Sequence, residues 1–214
     1  KAQAAYRKLA ALTPKDATVF KTLHEIALRS GTKEEVLSTL KQYVAIKPTD
    51  ATALRTLADI LYERGDKAGA LGAYKALLKA DPAAKGFYKR YVELVISGNS
   101  EAEIASAITG AIGANEADAS MYARLGGIYK KQALYPKAAA MYEKAAALDQ
   151  KDAGLLSELA ECQAKSGNPS AAATYEQAVA LNPNAIAEHK ALGDLYWAQK
   201  KSDAAVRSYK KYLE

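Results

Sequence analysis

Three prolines, Pro14, Pro48 and Pro82, stand 34 residues apart, and each closes a similar tail: Leu12-Thr13-Pro14, Ile46-Lys47-Pro48 and Ala80-Asp81-Pro82. Related tails recur at Leu148-Asp149-Gln150 and Leu181-Asn182-Pro183. Gly31 and Gly65 keep the same interval, and Gly167 marks the same place three periods later. A period of this length constrains the fold more than any other feature. Each unit is too short to enclose a core, so successive units must stack and cover one another.

Written in that register, the units are 17–50, 51–84, 85–118, 119–152, 153–185 and a partial 186–214, preceded by 1–16 as the second half of an earlier unit. The unit 153–185 is one residue short, and the deletion falls in its inner turn, Gly167-Asn168-Pro169-Ser170, because helix and tail both stay in phase. Each unit reads as two helices. In 51–84, Leu54, Leu57, Ala58 and Leu61 form one apolar stripe and Ala70, Ala73, Tyr74 and Leu77 a second. Between them Gly65 is a stop able to take positive φ, and Asp66 is an N-cap. Thr32 with Glu35 and Ser100 with Glu103 have capping-box spacing. Pro136 and Pro169 fit the first turn of a second helix, where a missing N–H costs nothing. No strand signal of any length is present. The expected fold is therefore all-α, a single array of stacked antiparallel helix pairs over residues 1–214.

Composition agrees. Ala supplies about a fifth of the residues and is the strongest helix former. The net charge is +6, but bases and acids are interleaved, and pairs such as Lys200-Lys201 and Lys210-Lys211 read as solvated helix faces. No specific nucleic-acid ligand is expected, because no block or arm concentrates the basic residues. No apolar run approaches the roughly 20 residues of a membrane span. One cysteine, Cys162, rules out an internal disulfide. The Ala-rich, Cys-poor composition points to a bacterial protein and fits the cytoplasm and the cell envelope alike.

The unit resembles the tetratricopeptide repeat, whose pattern is a large apolar residue, Leu-Gly, Tyr, Ala, an aromatic and Pro. Residues 119–152 carry it as Tyr122, Leu125-Gly126, Tyr129, Ala138, Tyr142 and Ala145; the last unit repeats Leu192-Gly193, Tyr196, Ala205 and Tyr209. The small residues Ala58, Gly126, Ala160 and Gly193 let a neighbouring helix approach, facing Ala70, Ala138 and Ala205. Tyr74, Tyr142, Tyr175 and Tyr209 are wedge-filling core residues. Departures are His24 and Val92 where a small residue is usual, and Glu116 and Gln150 where Pro is usual; the unit 85–118 diverges most.

The resemblance implies a right-handed superhelix whose first helices line a concave groove that binds a protein or peptide. In that groove four units pair a base with an acid four residues on: Lys21–Glu25, Arg55–Asp59, Lys89–Glu93 and Lys190–Asp194. The base-first order stabilises a helix by at most about a few tenths of a kcal/mol, so recognition competes with surface charge balance as its explanation. Lys89, Arg90, Arg124, Lys130 and Lys131 form a candidate mid-array anion site. Tyr62 and Trp197 share one position in their units and are candidate interface anchors. A subset of the family grips a peptide's C-terminal carboxylate with Lys, Asn and Arg on successive first helices; here acids stand where the Asn is needed, so no such clamp is expected.

No catalytic machinery, cofactor or metal site is expected. His24 and His189 lie in distant units, Cys162 has no nearby histidine, and there is no phosphate-binding glycine loop. The leading reading is a non-catalytic binding scaffold. The alternatives are a regulatory or docking arm of a larger enzyme, and a module that self-associates through exposed ends. Both ends read as cut from a longer protein.

Overall fold

The computed structural model describes residues 2–214, and all regular structure among them is helical. A leading helix, α1 (Ala2–Leu12), precedes twelve others among the described residues. These are α2 (Ala17–Ser30) with α3 (Lys33–Ile46), α4 (Ala51–Glu63) with α5 (Lys67–Ala80), and then α6 (Tyr88–Ile96) and α7 (Glu101–Gly113). Then follow α8 (Ala119–Lys131) with α9 (Tyr135–Leu148), α10 (Ala153–Lys165) with α11 (Ala171–Leu181), and α12 (Ile186–Ala198) with α13 (Ser202–Leu213). The chain divides into two compact units, residues 1–99 and 100–214. Within each, every helix packs against the next in sequence.

The period is written in the helix ends. Asp16, Asp50, Asp118 and Asp152 start α2, α4, α8 and α10, each accepting a hydrogen bond from a backbone N–H two or three residues on. At the same register the two remaining units hold Ala84 and Ala185. There α12 has no side-chain cap, and α6 does not begin until Tyr88 and has only 9 residues. The second helices α3 and α7 carry the expected capping boxes, and Asp66 caps α5. Pro136 sits in the first turn of α9 as expected. Pro169 does not: α11 begins at Ala171 and the proline lies in the turn before it.

First helices stop in a recurring way. In α4, Gly65 takes φ +77; its N–H bonds to the Tyr62 carbonyl, and the next N–H, from Asp66, bonds to the Leu61 carbonyl. This double bond around a left-handed residue satisfies carbonyls that the helix leaves open. α8, α10 and α12 end identically at Ala133, Gly167 and Lys200. Gly31, at the interval of 34 from Gly65, is extended at φ −92 and ψ 169, so α2 ends without the left-handed residue.

Three of the four wedge tyrosines are core residues as expected: Tyr74, Tyr142 and Tyr175 are buried, whereas Tyr209 in the last unit is half-exposed. The ring of Tyr142 lies over Gly126 and that of Tyr209 over Gly193, where an added Cβ would stand 3.1 and 2.4 Å from ring carbons. In the unit 17–50, Leu40 replaces the tyrosine and His24 replaces the small residue, and Leu40 is buried all the same.

Ala133 and Lys200 occupy a conformation that favours glycine, at a cost of roughly 1 kcal/mol or more each. Ala133→Gly is therefore expected to raise the unfolding free energy by about 1 kcal/mol in urea titrations. A neutral or destabilising result would reject the left-handed stop at α8.

Candidate functional site

Side chains of the first helices face one another across successive pairs in residues 1–99. Asp59 Oδ1 accepts hydrogen bonds from the Tyr74 hydroxyl at 2.6 Å and from Arg90 Nη1 at 2.8 Å. Arg90 also approaches Glu63 at 3.5 Å and lies 5.2 Å over the Tyr62 ring. The Tyr62 hydroxyl donates to Glu93 at 2.6 Å. Arg55 donates through both terminal nitrogens to the carbonyls of Lys85 and Gly86, each at 2.8 Å, with its Nε 3.9 Å from Asp59. Gly86 has φ +82, and a Cβ there would meet Arg55 Nη2 at 2.7 Å. The structure thus joins Arg55, Asp59, Tyr62, Arg90 and Glu93 in one network between α4 and α6. Burial, then the Asp59 bond, pushes the Tyr74 hydroxyl well above its ordinary range.

Other candidates stay out of it. Lys21, Glu25 and Lys89 are exposed and make no hydrogen bond or ion pair among the described residues. Lys21 and Glu25 instead rim a cavity of about 400 Å³ between α2 and α4, with Leu28, Leu40, Tyr43 and Thr56 among its walls. Leu28 is 60% exposed there.

In residues 100–214, Lys130 donates to Glu158 at 2.8 Å and to Glu161 at 2.5 Å. Burial pulls the ammonium's pKa down, but the two carboxylates outweigh it and hold it above the ordinary lysine value. Lys131 pairs with Glu101. Lys190 bonds Asp194 at 3.0 Å, and Asp194 also accepts from the Tyr209 hydroxyl at 2.8 Å. Arg124 is exposed without an ion pair among the described residues, and Trp197 is 65% exposed on α12. The cations expected to pool mid-array are thus mostly neutralised separately: Arg90 by Asp59 and Glu63, Lys130 by Glu158 and Glu161, Lys131 by Glu101.

His24 is half-buried beside Thr39 at 3.4 Å, and burial lowers its pKa against the smaller opposing pull of the Val36 backbone and Glu25. His189 sits against the Pro183 carbonyl at 2.9 Å. Cys162 is fully buried with Tyr142 and Leu159, and burial pushes its thiol up to about 11. At neutral pH it is a packing residue rather than a thiolate nucleophile.

No curated protein matches the chain. Residues 1–80 match a family model described as a bacterial transcriptional activator domain. Residues 124–186 and 164–214 match the tetratricopeptide repeat. Among solved structures, YrrB, a TPR protein, superposes with a TM-score of 0.60 at 17% identity over 81% of this chain and 90% of its own. MamA does so with a TM-score of 0.56 at 23% identity over 76% and 90%. The C-terminal part of a TPR repeat-containing protein from Cytophaga hutchinsonii gives 0.52 at 14% identity over 99% and 88%. Residues 124–214 belong to the tetratricopeptide-repeat family, and the solved structures extend its fold over most of the chain. The most divergent repeat, 85–118, lies wholly outside both matches.

Within this tetratricopeptide-repeat frame the base–acid series acquires a cause. The acid stands 15 residues before the wedge tyrosine and accepts a hydrogen bond from its hydroxyl: Asp59 from Tyr74, Asp194 from Tyr209. Only Lys190–Asp194 is a close pair within one helix; Asp59 is nearer to Arg90 than to Arg55. The spacing between acid and tyrosine was present in the sequence. Arg55 binding backbone carbonyls 30 and 31 residues away had no sequence signal.

Two predictions follow from these roles. Removing Asp59 leaves the buried Tyr74 hydroxyl unsatisfied, so Asp59→Ala is expected to cost about 2 kcal/mol by urea unfolding. Glu25→Ala, at the same repeat position but without a tyrosine partner, is expected to stay within about 0.5 kcal/mol; similar costs for both would reject the structural role of the acid. For His24, an unfolded imidazole takes up a proton near pH 6.5 that the folded one resists, so its contribution to stability falls as pH drops below that value. The stability advantage of wild type over His24→Ala should therefore be smaller at about pH 5.5 than at about pH 7.5. A difference that does not change with pH would show that burial of the imidazole does not matter.

Proposed function

We propose that this tetratricopeptide-repeat chain is a non-catalytic scaffold that binds an extended peptide or protein segment along its first-helix side. The observation that carries the reading is the cavity between α2 and α4. It offers about 400 Å³, an exposed leucine on its wall, and two opposite charges, Lys21 and Glu25, that make no hydrogen bond or ion pair among the described residues. An apolar side chain of a partner fits against Leu28, Leu40 and Tyr43, and Lys21 and Glu25 read the polar groups on either side of it. Trp197, Lys190 and Arg124 extend the reading to residues 100–214, where an exposed Trp has the area and rigidity of an interface anchor. YrrB, which shares the fold, is described as having an unusual peptide-binding site.

The network around Asp59 has a different part in this reading. Arg55, Asp59, Tyr62, Arg90 and Glu93 spend their polar groups on one another and on the backbone before α6. They hold α4 and α6 in register and present a fixed wall, and reversing their charges would damage the fold as well as any site. Tests of binding belong on the unspent residues.

Peptides selected from a random display library on the intact chain should weaken at least about tenfold with Lys21→Glu combined with Leu28→Ser. Peptides that contact α12 should shift the emission of Trp197, the single tryptophan. A control at exposed Lys151 should leave affinity unchanged. If every selected peptide binds the cavity variant, the Trp197→Ala variant and wild type equally, the first-helix side is not the binding surface.

A further inference from the structure

The excess positive charge of this protein is confined to one place. Residues 1–99 hold seventeen Lys and Arg against ten Asp and Glu, a net +7, whereas residues 100–214 hold thirteen against fourteen, a net −1. Within the first unit the charge divides further. The first helices α2, α4 and α6 carry five bases against four acids, and the turns four against four. The second helices carry seven against two: Arg7 and Lys8 on α1, Lys33 and Lys41 on α3, and Lys67, Lys75 and Lys79 on α5.

Both acids on these helices are already spent. Glu34 pairs with Arg64 at 2.5 Å; Glu35 pairs with Arg7 and accepts the Thr32 N–H at 2.9 Å. All seven bases are exposed. Arg7, Lys41 and Lys75 recur at the repeat interval of 34, which sets one cation per helix at the same height along α1, α3 and α5. The seven bases lie on α1, α3 and α5, whereas the charged residues of the network lie on α4 and α6. The charge is thus segregated to the second helices, and a polyanion is the ligand that complements it.

The chemistry of the surface selects among polyanions. The tyrosines of α3 and α5, Tyr43 and Tyr74, are buried, so those helices offer no exposed ring for stacking on nucleic-acid bases. Neither α3 nor α5 exposes a large apolar side chain, and Leu9 and Leu12 of α1 alone make no wedge for insertion into a bilayer. Lysine point charges on a ladder of separate helices suit carboxylates distributed along a flexible chain. We propose that the second-helix side of residues 1–99 docks an acidic, Asp/Glu-rich protein segment, separately from the cavity between α2 and α4.

The test is fluorescence anisotropy of a labelled poly-glutamate peptide of about 20 residues against the intact chain, at about 50 and about 200 mM salt. Binding is expected at low salt and should weaken as salt rises. Lys8→Glu, Lys41→Glu, Lys67→Glu and Lys79→Glu together should lower affinity at least about tenfold. The same four lysines changed to Gln should give an intermediate loss, with far-UV circular dichroism confirming the fold. A control of equal charge, Lys15→Glu, Arg29→Glu, Lys85→Glu and Lys89→Glu, should stay within about twofold. No measurable binding, or equal loss in the two reversed variants, overturns the proposal. So does tighter binding of duplex DNA or of phosphatidylserine vesicles under the same conditions, which would assign the patch to another polyanion. The cavity reading is untouched by any of these outcomes, since its variants are scored on selected peptides.

Discussion

A tyrosine ring laid over a small residue sets how closely the two helices of a pair approach, and much of this structure follows from that contact. Tyr142 over Gly126 and Tyr209 over Gly193 leave no room for a larger residue beneath the ring. Ala160 clusters with Tyr175 in the same way. The partners stand 16 residues apart in full-length units, so the contact is fixed by the repeat and recurs wherever the register holds. Where it is altered, both sides change together. His24 is larger than the usual Ala or Gly, and Leu40 is shorter than the usual Tyr; at the matching positions of 85–118 stand Val92 and Ile108. Leu40 is fully buried, so the exchange in 17–50 preserves packing rather than loosening it.

The ring brings a hydroxyl with it, and the hydroxyl organises charge. The buried Tyr74 phenol needs an acceptor, which Asp59 on the first helix of the same pair provides; Asp194 accepts likewise from the half-exposed Tyr209. Once that acid is engaged, a base that reaches it is drawn into the same network, as Arg90 is. Where the tyrosine is replaced by Leu40, Glu25 is released and remains exposed beside the α2–α4 cavity. In the proposed reading, binding on the first-helix side falls at this unit, because Lys21 and Glu25 make no hydrogen bond or ion pair among the described residues.

Much of the architecture was legible because it rests on local chemistry. Helix boundaries followed from Pro82, Gly65, the capping boxes and the periodic stripes, all of which act within a few residues. The family followed from the spacing of Leu125-Gly126, Tyr129 and Tyr142. Pro169 was misread for the same local reason: a proline allows the first turn of a helix, but α11 starts two residues later, at Ala171. What could not be read were contacts that depend on the third dimension. Arg55 looked like a groove cation and is a clamp on the carbonyls of Lys85 and Gly86, while Lys130 looked like part of an anion site and is held between two glutamates. The partition of charge between the two halves was countable, but the net charge of the whole chain hides it.

The divergent repeat shows why such contacts are needed. Ala84 replaces the aspartate that caps the first helix in four other units, so nothing local starts α6 at its usual place. The chain instead runs on through Lys85 and Gly86, held by Arg55, to a group of rings. Phe87 stacks on Tyr74 at 5.3 Å and on Tyr88 at 4.7 Å, with Tyr91 at 6.2 Å. Long-range hydrogen bonds and aromatic packing thus do at α6 what a single carboxylate does elsewhere. The consequence is a first helix four to five residues shorter than α2, α4 or α8, tied to α4 by side chains rather than by its own cap. That trade explains why five charged or aromatic residues with the appearance of a binding site are occupied by the fold.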